Sequence, residues 1–453
     1  MGDEHRSTDA RWLLHPPTGS FSAPTIRELT DSFKDGVGSP VDCVRYSLER
    51  IQETDSLLQA WVFVDESRCT VAAEESARRY RESRPLSPID GIPFGVKDII
   101  DVAGWPTRYG SDFYENLPSS TAAWVRLLEQ AGAIPLGKTA STPFACFDPA
   151  ATKNPLRLSH TPGGSSSGSA AAVAAGQVPF ALATQTGGSI IRPASYCGTC
   201  GLKPTFNVVP TEGVFPVSPA LDTMGWVART PDDLALIQSA ILGNSNLPLA
   251  STLHSPSPHF SFRFVVWNSM LDGLNEDQQV EDYRQIFNQI RRWGFEVVDR
   301  ELPVDWHECI KHHRVLMARD LADVHDSLWA SHQDCYPEGL ASLVKEGQGL
   351  TSTRRQEAAD FQANLIEIFQ QSLSENEIGL SPSATGPAPE GHDSTGSPLM
   401  NSLWTLVGCP AVTLPLDRGN ELPLGLQLTA RHGSDSNALT AAMQLTAHSR
   451  EVD

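Results

Sequence analysis

Apolar residues recur at helical spacing near the start of the chain. Ser39 and Pro40 supply an N-cap and a proline at the first helical position, ahead of Val44 and Leu48 on one face. This spacing predicts a helix, and a similar pattern predicts a second helix over 65–84.

The character of the chain then changes, and short apolar runs alternate with helical patterns. The apolar runs predict buried strands at 92–100, 133–139, 262–267 and 295–302. The helical patterns lie at 120–132, 276–293, 305–330 and 353–374. Strands that alternate with helices indicate an α/β protein with a largely buried mixed sheet.

The last part of the chain continues this pattern. A Pro/Gly/Ser-rich stretch at 379–399 predicts a loop, and WTLVGCPAVTLPL and LPLGLQLTA predict two strands before a final helix. The segment 245–259 is the best candidate for an internal linker, but the α/β patterns on its two sides look alike. We therefore predict a flexible N-terminal arm over 1–23 and a single domain over 24–453.

Composition limits the cellular setting. No window approaches the roughly 18 consecutive apolar residues of a membrane span, and the charged N-terminus lacks the apolar core of a secretory signal. The eight cysteines are scattered along the chain, which favours buried thiols in a reducing compartment. We expect a cytoplasmic protein that does not bind a membrane.

Net charge argues against one class of ligand. The chain has 34 Lys and Arg against 54 Asp and Glu residues, a formal net charge of −20. An acidic surface repels phosphate backbones, so nucleic acid is not an expected direct ligand.

Two Gly-Gly-Ser sequences, which end at Ser165 and Ser189, are the first sign of chemistry. One helical pattern and one strand pattern separate them, and such an excursion can return the chain beside its starting point. Glycines before a serine allow backbone conformations that other residues resist, and they leave main-chain N–H groups uncovered. Uncovered N–H groups are what an oxyanion hole requires.

Two other interpretations of these glycines fit the sequence less well. A flexible Gly/Ser linker does not agree with the apolar, periodic flanks of the first sequence. A phosphate-binding loop would need the Walker ending or GxGxxG spacing, and neither occurs here.

Three segments resemble one known family, the amidase signature family of serine amidohydrolases. Residues 161–176, followed by TQTGGSIIRPASYCGTCGLKPT, resemble the signature itself, and GIPFGVKD at 91–98 resembles the catalytic lysine segment. The tail from DSTGSPL to LPLGLQL resembles the C-terminal region of the family. The similarity spans roughly 25–450, and three motifs in the family's order argue against coincidence.

The resemblance implies a fold and a catalytic triad. The family has a single α/β/α domain around a large mixed sheet of about eleven strands, and it needs no metal or organic cofactor. Ser189 then matches the nucleophile, Ser165 the bridging serine at a cis peptide bond, and Lys97 the base. Four main-chain N–H groups would form the oxyanion hole, those of Thr186, Gly187, Gly188 and Ser189.

Elementary chemistry agrees with these roles. A serine hydroxyl is a poor nucleophile until a base takes its proton. Lysine can be that base only when neutral, which requires burial or nearby positive charge to lower its pKa. The Ile, Val and Phe residues around Lys97 supply burial, and Ser165 can then relay a proton between Ser189 and Lys97.

Two positions depart from the family pattern. Many members have Asp where this chain has Gln185, and Arg192 comes one position later than in the A subunits of tRNA-dependent amidotransferases. Both differences favour a stand-alone amidase. Arg192 is either a residue that binds a substrate carboxylate, as in some family amidases, or a structural arginine that pairs with a buried acid.

Cysteines and histidines suggest other chemistry only weakly. Cys197 and Cys200 form a CxxC pattern without a second pair, so we interpret them as structural. The spacing of His307, His312 and His313 does not place all three on one helix face, and no HExxH motif occurs. We expect these histidines on a helix surface or in the lining of a pocket, and we expect no metal.

The sequence therefore predicts an amidohydrolase that cleaves a carboxamide C–N bond of a small molecule through an acyl-enzyme on Ser189. One alternative is an acyl-transfer or amidotransferase component that works with a partner protein. Another is an inactive family member that acts as a binding module, although Lys97, Ser165 and Ser189 are all present. A homodimer is compatible with the sequence, and the substrate cannot be identified from it.

Overall fold

The computed structural model of the protein describes residue 14 and residues 23–242 and 262–451. The described strands are Trp61–Val64 (β1), Pro93–Lys97 (β2), Ile134–Thr139 (β3), Phe180–Gln185 (β4), Cys200–Lys203 (β5), Thr223–Ala228 (β6), Arg263–Trp267 (β7), Glu296–Arg300 (β8), Glu377–Pro382 (β9), Ala411–Leu416 (β10) and Leu424–Thr429 (β11).

The described helices are Ile26–Lys34 (α1), Pro40–Leu58 (α2), Glu66–Arg81 (α3), Ala123–Gln130 (α4), Ser167–Ala174 (α5), Ile191–Tyr196 (α6), Pro231–Leu242 (α7), Asp277–Arg292 (α8), Trp306–His332 (α9), Glu338–Gly349 (α10), Ser352–Ser372 (α11), Leu399–Val407 (α12) and Asp435–Glu451 (α13). Short 3₁₀ segments lie at Pro143–Ala145, Asn268–Gly273 and Gln333–Cys335.

All of these strands belong to one mixed sheet. Its order is β1-β3-β2-β4-β6-β5-β10-β11-β9-β7-β8. Strand β2 lies between β3 and β4 and is parallel to both, whereas β4 pairs with β6 antiparallel. Strands from both sides of the segment 243–261 join this sheet, and the linker predicted at 245–259 lies outside the described residues.

The sheet has an apolar core on each of its faces. Along β4, Phe180 and Leu182 belong to one buried cluster, and Ala181 and Ala183 belong to another. Successive side chains of a strand point to opposite faces, so the alternation separates two cores. Helices α2, α3 and α5 contribute to the second core and α4 and α7 to the first, which gives the expected α/β/α layers.

The predicted helices and strands agree well with the structure where periodicity was strong. The helices predicted at 276–293 and 305–330 correspond to α8 and α9, within two residues at every end. Strand β2 ends at Lys97 rather than Ile100, because the chain turns at Asp98 and the N–H groups of Ile99 and Ile100 donate to the Lys97 carbonyl.

Two predictions near the C-terminus were wrong. WTLVGCPAVTLPL was predicted as a strand, but its first part belongs to α12, which ends at Gly408 with a φ of 72°, and β10 begins only at Ala411. The segment 379–399 was predicted as a loop, but its start belongs to β9. That strand pairs with β7 and β11, and this tertiary pairing outweighs the turn-rich composition around it.

Within the predicted N-terminal arm, 1–23, the structure describes only residues 14 and 23. Leu14 is 2% exposed, and its N–H donates to the Ser449 Oγ of α13 at 3.0 Å. Residues 1–13 and 15–22 lie outside the described part of the chain, so the boundary near residue 23 remains a prediction. Among the described residues, no helix is long and apolar enough to cross a membrane.

Gly168 on α5 provides a test of how this helix is seated against the sheet. A Cβ at Gly168 would lie 2.3 Å from the Ala60 carbonyl oxygen and 2.4 Å from the Ala140 nitrogen, both main-chain atoms. We therefore expect Gly168→Ala to lower the free energy of unfolding by about 1–3 kcal/mol or more. Urea denaturation measures this change.

Gly349 is the matched control, since a Cβ there would meet nothing within 4 Å. Gly349→Ala should change the free energy of unfolding by no more than about 0.5 kcal/mol. Equal stability of the two variants would contradict the tight seating of α5.

Candidate active site

Lys97 is completely buried at the end of β2. Its Nζ donates hydrogen bonds to the Ser165 Oγ at 2.7 Å and to the Thr184 Oγ1 at 2.8 Å. Thr184 lies on β4, the parallel neighbour of β2, so the sheet itself brings its side chain to the lysine. Thr184 is the first residue of the second signature segment, TQTGGS, but nothing in that segment predicted its contact with Lys97.

The surroundings of Lys97 disfavour its charged form. Burial lowers its pKa to about 7, and the carboxylate of Asp222 acts in the opposite direction. Among the described residues, Lys97 forms no ion pair, and its side-chain partners are hydroxyl groups. Near neutral pH a large fraction of this lysine is therefore the free amine.

Ser165 is buried just before α5, and the peptide bond between Gly164 and Ser165 is cis, as the resemblance implied. A Cβ at Gly164 would lie 2.7 Å from the Thr395 Cγ2 and 3.0 Å from the Thr142 Cγ2, so this position has room only for glycine. The N–H of Thr142 also donates to the Ser165 carbonyl at 3.2 Å. These contacts fix the backbone that presents the serine to Lys97.

The turn 186–189, which connects β4 to α6, has uncovered N–H groups. Its four main-chain N–H groups donate to none of the described residues. The carbonyls of Thr186 and Gly187 are occupied, by the His313 Nε2 at 2.7 Å and the Thr405 Oγ1 at 2.7 Å. Ser189 closes the turn and is only half-buried, in contrast to the two other residues of the predicted triad.

Gln185 stabilises this turn through hydrogen bonds of its side chain. Its Oε1 accepts hydrogen bonds from the N–H groups of Ile190 at 2.9 Å and Ile191 at 3.1 Å, and its Nε2 donates to the Thr405 Oγ1 at 3.1 Å. The glutamine thus satisfies the first N–H groups of α6, which have no partner inside the helix. One of the two departures from the family pattern therefore has a structural role.

Arg192 on α6 is 4% exposed and contacts the same region. Its Nη2 donates to the Gly164 carbonyl at 2.7 Å and to the Thr395 Oγ1 at 3.3 Å. Its Nε and Nη1 have no partner, and it forms no ion pair, among the described residues. Burial lowers its pKa to about 10, so the guanidinium stays charged at neutral pH.

Asp222 lies just before β6 and was not among the predicted site residues. Its Oδ1 accepts from the Thr186 Oγ1 at 2.5 Å, and its Oδ2 accepts from the N–H groups of Val217 and Ser218. Burial raises the pKa of this carboxyl to about 6. No motif marks Asp222, because its position follows from the pairing of β6 with β4.

The other chemically suggestive residues lie outside this site or have different roles. Cys197 and Cys200 are buried free thiols, and burial raises the pKa of each, which disfavours the reactive thiolate. His312 stacks on Phe361 with ring centroids 3.9 Å apart, and only His313 of the three histidines contacts the turn. Within the described ranges, no three His, Cys, Asp or Glu residues converge as a metal site would require.

A family model described as Amidase matches residues 42–439 of the chain. The chain belongs to the amidase family. This amidase resembles the A subunit of glutamyl-tRNA(Gln) amidotransferase from Exiguobacterium sibiricum, with 29% identity over 92% of this chain and 95% of the relative. The corresponding protein of Anaeromyxobacter sp. (strain K) is 31% identical over 90% of this chain and 92% of the relative.

Solved structures of amidases share the fold. Peptide amidase from Stenotrophomonas maltophilia superimposes with a TM-score of 0.80 and 25% identity, over 95% of this amidase and 97% of that chain. 6-Aminohexanoate cyclic dimer hydrolase, with a TM-score of 0.81 and 20% identity over 94% of this amidase and 97% of that chain, has a similar fold.

Gln185 allows a test of the turn. Gln185→Leu removes the acceptor of two buried N–H groups, and each such orphaned group costs about 1–3 kcal/mol. We expect Gln185→Leu to have a lower free energy of unfolding. Because the turn loosens, we also expect the folded variant to have a lower kcat. Urea denaturation and kinetics on the same preparations measure both.

Gln177 provides a matched control, because its side chain is also buried and bonds to Trp61 and Thr54 away from the site. Gln177→Leu should lose stability but keep its kcat. If the two variants lose kcat equally, Gln185 has no specific role in the turn.

Proposed function

We propose that the protein is an amidase that hydrolyses the C–N bond of a small carboxamide through an acyl-enzyme on Ser189, with Lys97 as base and Ser165 as proton relay. The observation that carries this proposal is the contact between a fully buried lysine amine and the Ser165 hydroxyl, 2.7 Å apart. A buried lysine with hydroxyl partners and a pKa near neutrality is suited to general-base catalysis.

Acylation would begin with the neutral lysine. The Ser165 hydroxyl gives its proton to the Lys97 Nζ lone pair and takes the proton of the Ser189 hydroxyl, while the Ser189 Oγ attacks the carbonyl carbon. The negative charge that forms on the carbonyl oxygen is stabilised by the uncovered N–H groups of 186–189. The C–N bond then breaks, and the nitrogen leaves with the proton that returns through Ser165.

Deacylation would use the same groups in reverse. Water attacks the acyl-enzyme and passes its proton through Ser165 to Lys97. The C–O bond to Ser189 breaks, and the Ser189 oxygen regains a proton. The net reaction adds one water across the amide and yields a carboxylic acid and ammonia or an amine.

The surroundings of Arg192 support a substrate that carries a carboxylate. Its guanidinium is buried and charged. Among the described residues, two of its nitrogens have no partner and no acid pairs with it. A buried charge is strongly stabilised by an opposite charge, and the planar guanidinium suits a carboxylate. An amide that also bears a carboxylate is therefore the first substrate class to test.

An amidotransferase role is the second candidate, favoured by the similarity to glutamyl-tRNA(Gln) amidotransferase A subunits over more than nine-tenths of the chain. The two candidates differ in what the purified chain does alone. A stand-alone amidase releases ammonia or amine from small amides without a partner, whereas an amidotransferase component would need one for full activity. A panel of amides with and without carboxylates separates them.

Covalent labelling tests the role of Ser189. A fluorophosphonate should add one adduct, on the peptide that contains Ser189. Ser189→Ala should abolish labelling and turnover, whereas Ser165→Ala should lose less, because water can replace a relay but not a nucleophile. Mass spectrometry of the labelled peptide and ammonia release measure these outcomes. An adduct elsewhere on an active enzyme would refute the assignment.

The pH dependence tests the role of Lys97. Its folded pKa of about 7 lies below the usual value of 10.5, and the neutral form is the active one. The acylation rate should therefore rise with pH through about 7 and level off above it. Lys97→Ala should lose about 10²–10⁴-fold or more in rate.

Lys97→Arg distinguishes a base from an electrostatic anchor. The guanidinium keeps the charge but stays protonated in proteins, so this variant should be as inactive as Lys97→Ala. Circular dichroism checks that both variants fold. Substantial activity in folded Lys97→Arg would remove Lys97 as the base.

A further inference from the structure

His313 is a buried residue of the long helix α9 that contacts the turn of the proposed nucleophile from across the fold. Its Nε2 lies 2.7 Å from the Thr186 carbonyl oxygen, 127 residues away in sequence. A carbonyl oxygen can only accept, so the ring must carry its hydrogen on Nε2. Burial lowers the pKa of His313 to about 4, so the ring is neutral near pH 7 and keeps this tautomer.

This hydrogen bond fixes the orientation of a peptide group. In a trans peptide the C=O and the following N–H point in opposite directions. Because the Thr186 carbonyl points to His313, the Gly187 N–H points away from it. The Thr405 Oγ1 constrains the next peptide in the same way, by donating to the Gly187 carbonyl at 2.7 Å.

Because Gly187 has no side chain to restrict its backbone, its peptide needs such an anchor. A Cβ at Gly187 would lie 3.5 Å from Pro398 and 3.7 Å from the His313 Cε1, so sterics leave this residue room to move. A glycine peptide can rotate at little steric cost, and rotation would turn its N–H away from the developing oxyanion. The hydrogen bond from His313 opposes that rotation.

We propose that His313 is a positioning residue of the oxyanion hole, which holds the peptide between Thr186 and Gly187 so that the Gly187 N–H faces the reacting carbonyl oxygen. This inference rests on the proposed function. It gives α9 an indirect part in the chemistry through one hydrogen bond, because His313 itself touches no reacting atom.

The test uses the rate at which a fluorophosphonate labels Ser189, since this reaction needs no knowledge of the natural substrate and develops negative charge in the same hole. Loss of one oxyanion donor typically costs about 10²–10³-fold in rate. His313→Leu leaves the Gly187 N–H in place and only loosens its orientation, so it should cost less. We expect the maximal labelling rate to fall by about 10–100-fold, while the fluorophosphonate concentration that gives the half-maximal rate changes little.

His313→Gln is the conservative variant, because a glutamine amide places a donor near the position of Nε2. It should recover most of the labelling rate. His312→Leu is the matched control on the same helix, since His312 stacks on Phe361 and does not contact the turn. It should label at the wild-type rate.

Three further results distinguish a positioning role of His313 from an effect on Lys97, a folding defect or a different nucleophile. The labelling rate of His313→Leu should still rise with pH through about 7, because Lys97 is unchanged. If His313→Leu does not fold, His313→Asn, whose amide is too short to reach Thr186, should show the same loss. Wild-type labelling that misses Ser189 would overturn the proposed function and this inference with it.

The inference alone fails under two outcomes in which wild-type Ser189 is labelled normally. The first is a folded His313→Leu that labels at the wild-type rate. The second is a His313→Gln as slow as His313→Leu with intact circular dichroism, which would indicate a packing role for the ring rather than a hydrogen bond to Thr186.

Discussion

The site depends on the burial of one lysine without a carboxylate partner. An ammonium in the protein interior is costly unless it is paired or loses its proton. Lys138, also buried, has the Asp98 carboxyl 3.6 Å away, and this carboxyl opposes the effect of burial on the pKa of Lys138. Lys97 contacts hydroxyl groups instead, and its pKa falls to about 7. The interior therefore keeps an amine whose lone pair is available near neutral pH.

The sequence was sufficient to predict the fold class and the proximity of Ser165 to Lys97, for physical reasons. Strong periodicity predicted α8 and α9, and apolar runs predicted β2, β3, β7 and β8. The glycines around Ser165 and Ser189 were recognisable because close approaches and uncovered N–H groups require that residue type. In contrast, β9 and α12 depend on neighbours far along the chain, and local composition carries no trace of those neighbours.

The residues around the site whose roles were not predicted share one property. Thr184, Asp222, His313 and Thr405 act through side-chain hydrogen bonds to groups distant in sequence, and no motif or spacing assigns these roles. Threonine and histidine residues occur at many positions of any chain, so their identity alone does not indicate a role. Only the pairing of β4 with β2 and β6, and the packing of α9 and α12 on the turn, give these four a specific place.

The strand order has a consequence for synthesis on the ribosome. The last strands, β10 and β11, lie between β5 and β9 and so join the part of the sheet built early to the part built later. Until they emerge, β5 and β9 each present an open edge, and open edges are templates for pairing with other chains. The two parts of the sheet therefore stay unconnected until residues 411–429 have been synthesised. A chain truncated before residue 411 would expose both edges permanently.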